Sequence, residues 1–206
     1  MGNNKIRKVS TIDFVEQLIT QFYEDLCDEN YLYHNLGHVK KVVNVVEQLG
    51  KGCNLTGNEI EILKISAWFH DVGYLFSNEN HEKKSASLAY SYLRIIKYPT
   101  KKIEQTISCI MATYLQREPS GLLEEIMRDA DLSHLGSSDY FDYADKLYEE
   151  IKRTSSEPFE YKDWIISSVK FFEDHNYYTD YANKLFNDQK NENFKKLVLL
   201  SQNKLN

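Results

Sequence analysis

Four of the chain's six histidines fall between positions 34 and 81. Two lie four positions apart in YHNLGHV (33–39), one precedes an aspartate in AWFHDVGY (67–74), and His81 sits near the start of NHEKKSASLA (80–89). Far downstream, MRDADLSHLG (127–136) contributes Asp131. Imidazoles and carboxylates are the side chains that carry protons near neutral pH and that ligate divalent cations, so the face each one occupies decides what it can do.

Helical spacing places several of them on apolar stripes. His38, Val42, Val45 and Leu49 follow steps of four, three and four. Ile60, Leu63, Ala67 and His70 follow steps of three, four and three, and Leu123, Met127 and Asp131 are spaced by four. His38, His70 and Asp131 thus stand where a core would take leucine, and Asp71 at a helix end leans toward the same point. Burying such groups without partners costs several kcal/mol. A divalent metal ion removes that cost. Two imidazoles with two carboxylates suit Mn²⁺, Fe²⁺, Co²⁺, Ni²⁺ or Zn²⁺, with Mg²⁺ also admitted, and the mixed set selects none of them. Each residue alone has a plainer reading, as a hydrogen-bonded core histidine or an aspartate bonding a nearby N–H. The four together would require independent coincidences.

The elements that must position these residues read as helices throughout. They are expected at about 11–28, 35–50, 57–71, 80–97, 100–115, 120–134, 138–153 and 160–174, with one or two more near 179–203. TGNE (56–59) is a capping box, Pro99 and Pro119 precede new helices, and Gly136 reads as the glycine closing the helix of DADLSHL. The polar stretch NDQKNENFKK is expected to form an exposed helix. No linker or repeat interrupts the chain, so 206 residues read as a single domain, 1–206, all-α, with core helices at about 20–175 and a C-terminal helical extension at about 176–206.

Composition bounds the function. Hydrophobic residues make up 42% and charged residues 27%, as in soluble globular proteins, and the formal charge is −6 with both signs interleaved. A nucleic-acid partner is not expected without a clustered basic surface. Cys27, Cys53 and Cys109 are odd in number and lack a CxxC pair, which fits reduced thiols in a cytoplasmic protein. No apolar run reaches the roughly 18 residues of a membrane span, and MGNNKIRKVS lacks the apolar core of a signal peptide. No membrane partner is expected, and a homodimer is left open.

The ordered set His, His-Asp, Asp on successive helices resembles the HD superfamily of metal-dependent phosphohydrolases. HD at 70–71, after ILKISAWF and before VGY, looks like its defining motif, and YHNLGHV and DADLSHLG are similar to its first and last motifs. Within the superfamily the chain resembles bacterial stand-alone HD-domain phosphohydrolases from about residue 20 onward, sharing NHEKKSASLA and a tail like YYTDYANKLFNDQKNENFKKL. The resemblance implies an HD-type helical bundle with the metal site between core helices, and His38, His70, Asp71 and Asp131 as ligands.

His34 matches the general acid of class I cyclic-nucleotide phosphodiesterases; one helical turn before His38, it would stand about 6 Å away. Its plainer reading is a residue making local hydrogen bonds at a helix N-terminus. His81 is a candidate for a second metal or a substrate phosphate, or else a first-turn surface residue; Glu82 and Lys83 are further candidates. His134 and His175 read as structural. Departures narrow the chemistry. No histidine occurs between 82 and 133, so the extra ligands of HD-GYP phosphodiesterases and of di-iron inositol oxygenase are missing. HDVGYLF lacks the carboxylates of guanosine tetraphosphate hydrolases.

The expected activity is hydrolysis of a phosphate ester or anhydride by metal-activated water, as a phosphodiesterase or phosphatase acting on a small-molecule phosphate, nucleotide or cyclic nucleotide. Asp71 would ligate the metal and bridge to a second ion or take the water proton. His34 would donate a proton to the leaving oxygen. The alternative is a catalytically silent nucleotide-binding or regulatory HD module.

Overall fold

A computed structural model describes residues 10–155 and 157–205. The N-terminal stretch 1–9, read as lacking a signal peptide, lies outside the described residues. Nine α-helices run through them, α1 (Thr11–Leu26), α2 (Leu36–Gly52), α3 (Gly57–Phe69), α4 (His81–Ile95), α5 (Thr100–Met111), α6 (Leu122–Asp131), α7 (Tyr140–Thr154), α8 (Tyr161–Asp174) and α9 (Asp180–Leu205), with no strand among them. Short 3-10 segments follow α3 at Val72–Leu75 and α6 at Leu132–Gly136. None of these helices is long and apolar enough to cross a membrane.

Capping starts the helices where the sequence asks. Ser10 and Thr56 form capping boxes with Asp13 and Glu59, each satisfying two N–H groups at a helix start. The C-terminal half of α3, from Ile62 to Phe69, is buried on almost every side, so this helix is the central one, packed against α1, α2, α4, α5 and α6. Its neighbours close a first core that includes Val15, Ile19, Val46, Leu49, Leu93 and Ile110. A second, aromatic-rich cluster joins Tyr140 and Ala144 of α7 to Ile165 and Phe172 of α8. α9 reaches both, with Ala182 in the first and Leu197 in the second.

Three expectations change. α3 stops at Phe69 and α6 at Asp131, each giving way to a 3-10 segment, so His70 and Asp71 fall just beyond the end of α3, and Asp131 ends its helix rather than lying inside it. Gly136 closes no α-helix: it lies at the end of the second 3-10 segment, where a Cβ would collide with the backbone of Phe186 on α9. The polar stretch in α9 is helical but not wholly exposed. Lys190 and Asn193 continue the buried stripe between Ala182 and Leu197, Lys190 donating to the carbonyl of His175 and Asn193 to those of Leu135 (2.9 Å) and Ser137 (2.8 Å).

Candidate metal centre and its cleft

His38 enters the core from the first turn of α2, while His70 and Asp71 leave the end of α3. Asp131 closes α6, two residues beyond a structural partner: Asp129 accepts Tyr178 N (2.8 Å), Thr179 N (2.9 Å) and Thr179 Oγ1 (2.8 Å) just ahead of α9. That clamp fixes the end of α6 and with it the direction of Asp131. Beyond Asp71, Gly73 lets the 3-10 segment press against α4, because a Cβ there would collide with the carbonyl of His81. The Gly73 amide donates to Ser85 Oγ at 2.9 Å, which seats His81 beside Asp71.

His38, His70, Asp71 and Asp131 converge, each offering a donor atom within 4.8 Å of the others. Nε2 of His38 lies 3.2 Å from Nε2 of His70, from Oδ2 of Asp71 and from Oδ1 of Asp131. Nε2 of His70 lies 3.1 Å from Asp71 Oδ2 and 3.4 Å from Asp131 Oδ1. Nδ1 of His70 is 2.8 Å from the Ala67 carbonyl, which can only accept, so Nδ1 carries the proton and Nε2 is left to face the cluster. Asp71 Oδ2 is buried without a hydrogen-bond partner.

The electrostatics reflect this crowding. Burial opposes charge on all four groups, but mutual attraction wins: Asp71 and Asp131 hold His38 and His70 above the usual imidazole range, and the two imidazoles hold both carboxyls below theirs. An orphaned carboxylate oxygen and two imidazole Nε2 atoms aimed at one point fit a divalent cation, which supplies a single positive centre for all four donors.

His34 lies just ahead of α2, next to the start expected at 35, rather than in a helical turn with His38. Asn35 caps α2, accepting Gly37 N (2.8 Å) and His38 N (3.3 Å), so the helix begins at Leu36. The expected separation survives, since the His34 and His38 rings are 6.0 Å apart. Standing outside the helix, His34 pairs through Nδ1 with Oε1 of Glu150 on α7. Oε2 of Glu150 accepts the amides of Tyr33 (2.7 Å) and His34 (3.0 Å). Burial pushes the Glu150 carboxyl up, but His34 and the two amides outweigh it and hold it below the usual glutamate value.

The sequence reading missed Glu150 altogether. It also missed Tyr74, which stacks on His34 (3.8 Å between ring centres) and packs at a tilt against His81 (4.0 Å). Nε2 of His81 lies 3.7 Å from Asp71 Oδ1 and 3.4 Å from Glu82 Oε1. His81 and Glu82 therefore join the site, whereas Lys83 is exposed and lies outside the cleft lining. His134 lies 3.0 Å from Tyr33 Oη and 3.2 Å from the Asp131 carbonyl, and burial together with the His38 charge depresses it to about 4. His175 caps the end of α8.

Asp71 and Asp131 form part of a cleft of about 410 Å³. His34, Tyr74, His81 and Glu82 line one side, and Tyr143 and Leu147 of α7 with Trp164 and Phe171 of α8 line the other. Thr113 and Leu115 come from the loop after α5, whose shape is set by Arg128: it donates to the carbonyls of Ala112 (2.5 Å), Tyr114 (2.8 Å) and Arg117 (2.8 Å).

This helix order, with a His/Asp cluster where the central helices end, is an HD-type helical fold. No protein-family model matches the chain, and no curated protein matches it. Solved structures do. A protein from an uncultured Thermotogales bacterium, described as a predicted HD superfamily hydrolase, superposes with a TM-score of 0.61 at 13% identity, covering 97% of this chain and 94% of its own. Bacillus subtilis YpgQ, solved in complex with ADP, gives 0.63 at 16% identity, covering 92% and 94%. A Lactobacillus plantarum protein gives 0.66 at 13%, covering 95% and 98%. At these identities the likeness defines the fold, and the chemistry has to be argued from the site.

Proposed function

We propose that this protein is a metal-dependent phosphohydrolase that cleaves a phosphate ester or anhydride of a nucleotide or cyclic nucleotide. The observation that carries the reading is the convergence of four buried donors, with Asp71 Oδ2 orphaned among them, beside a cleft. The HD superfamily hydrolase description of one structural neighbour supports a hydrolase, and the ADP complex of another, which shares the fold at 16% identity, supports a nucleotide as the kind of ligand without bearing on its number of phosphates.

When bound, a divalent cation polarises a phosphoryl oxygen and brings the pKa of water toward neutrality. His38 and His70 would hold it through Nε2, and Asp71 and Asp131 through one carboxylate oxygen each. The Ala67 carbonyl keeps the His70 ring in the ligating tautomer. Asp71 turns its second oxygen toward His81, where it can accept the proton of an attacking water. Glu150 orients His34 through Nδ1, leaving Nε2 as the atom that hands a proton to the leaving oxygen. Tyr74, packed between His34 and His81, keeps both rings facing the cleft.

The test is turnover of bis-p-nitrophenyl phosphate and p-nitrophenyl phosphate by Mn²⁺-reconstituted protein, beside Asp71→Ala. Turnover that the substitution abolishes is expected. Equal turnover by both proteins sinks the mechanism. Stabilisation by nucleotides without product points instead to a silent binding module.

A further inference from the structure

The two sides of the cleft differ in chemistry. The α7–α8 wall presents Tyr143, Leu147, Trp164 and Phe171; of its two serines, Ser168 is buried and Ser167 donates to the carbonyl of Trp164 at 2.9 Å. Among the described residues no lysine or arginine lines the cleft, whereas three carboxylates do, Asp71, Glu82 and Asp131. Lys41 and Lys146 lie over the Tyr143 ring, 3.9 and 5.9 Å from its centre, but neither lines the cleft.

We propose that the α7–α8 wall is a subsite for the uncharged aromatic body of a ligand carrying a single phosphoryl group, and that the cleft discriminates against nucleoside di- and triphosphates. The proposal rests on the phosphohydrolase reading, under which the phosphoryl group sits at the His/Asp cluster. A divalent cation there offsets the charge of Asp71 and Asp131, while Glu82 already faces His81 at 3.4 Å. Each added phosphate brings further negative charge into a cleft whose walls carry no lysine or arginine, and whose His34 and His81 already face the carboxylates of Glu150 and Glu82. Flat aromatic faces, by contrast, gain by stacking and by excluding water from an aromatic ring. A cleft of about 410 Å³ is also within the size range of small-ligand sites.

The test is calorimetric binding to the Mn²⁺-reconstituted full chain, using slowly hydrolysed thiophosphate analogues of AMP, ADP and ATP, and separately phenyl and methyl phosphate. The AMP analogue is expected to bind at least about tenfold tighter than the ATP analogue, and phenyl phosphate at least about tenfold tighter than methyl phosphate. Trp164→Ala should erase the phenyl–methyl difference. Ser167→Lys, which places a cation on an exposed position of the wall, should narrow the AMP–ATP gap without changing metal content. ATP bound as tightly as AMP, or phenyl phosphate no better than methyl phosphate, overturns the proposal. Should Trp164→Ala fail to fold, Ser167→Lys and the wild-type rankings decide. Rankings that hold without turnover of any ester leave the subsite standing and remove the hydrolase; turnover with ATP equal to AMP does the reverse.

Discussion

Asp129 and Asp131 lie two residues apart at the end of one helix and meet opposite fates. Asp129 is fully buried and saturated, with three donors from Tyr178 and Thr179 gathered on its two oxygens. Asp131 turns the other way, into a cluster whose buried Asp71 oxygen has no hydrogen-bond partner. The junction of α6 with α9 is a polar network complete within the chain; the floor of the cleft is not. Burial of a charged group therefore marks nothing by itself. What separates a structural carboxylate from one able to hold a cation is whether the protein has already supplied its partners.

Substitutions should separate the two regions, beginning with the largest effect. Asp71→Ala should weaken Mn²⁺ binding by at least about a hundredfold, since losing a ligand exceeds the loss of a supporting contact, while the stability of metal-free protein changes by less than about 1 kcal/mol. Dialysis against Mn²⁺ and urea unfolding in chelator measure the two quantities. Asp129→Ala should behave inversely. Stranding the buried donors at Tyr178 and Thr179 should cost about 2–4 kcal/mol in urea unfolding, with metal stoichiometry retained in the folded fraction. If both variants lose metal alike, the contrast between the regions fails.

Within the cleft, Glu150→Gln should keep the metal and lower kcat by about ten- to a hundredfold, with little further loss when combined with His34→Ala. Additive losses in the double variant would mean that Glu150 does not act through His34. His38→Ala should lose metal, whereas His34→Ala should keep it and lose rate.

The last expected effect is confined to acid and concerns stability near α9. Burial first, then the Lys190 charge, hold His175 down to about 3, and its Nδ1 is unpartnered. The unfolded chain takes up that proton near the ordinary imidazole pKa of about 6.5, so stability falls as pH drops from there toward 3, by at most about 1.4 kcal/mol per unit. His175→Leu should flatten this limb of a stability–pH curve measured in chelator, and an unchanged limb would remove His175 as its source.

Much of this was legible in the sequence, for local reasons. A capping box at 56–59, helix-flanking prolines and 3.6-residue stripes are encoded within a few positions, and they placed the helices and the four converging donors. Roles that depend on distant docking were not legible. Glu150 stands 116 residues from the imidazole it holds, and nothing in YEEIKRT distinguishes it from Glu149. Gly136 followed the pattern of a helix-closing glycine, yet its lack of a side chain serves the approach of α9. Lys190 and Asn193 sit on an apolar stripe just as His38 and His70 do. Only their bonds to the carbonyls of His175, Leu135 and Ser137 show that they tie the chain to itself. Lys83 was offered because it neighbours His81, but the helix turns it outward.

The central claim is that His38, His70, Asp71 and Asp131 together hold a divalent cation. Elemental analysis of protein stripped, reconstituted with Mn²⁺ and dialysed tests it most directly. The expected result is about one equivalent per chain, falling below about a tenth in His38→Ala and Asp131→Ala. Wild-type protein retaining less than about a tenth of an equivalent of Mn²⁺, and of Fe²⁺, Co²⁺, Ni²⁺ or Zn²⁺ tried in its place, would contradict it.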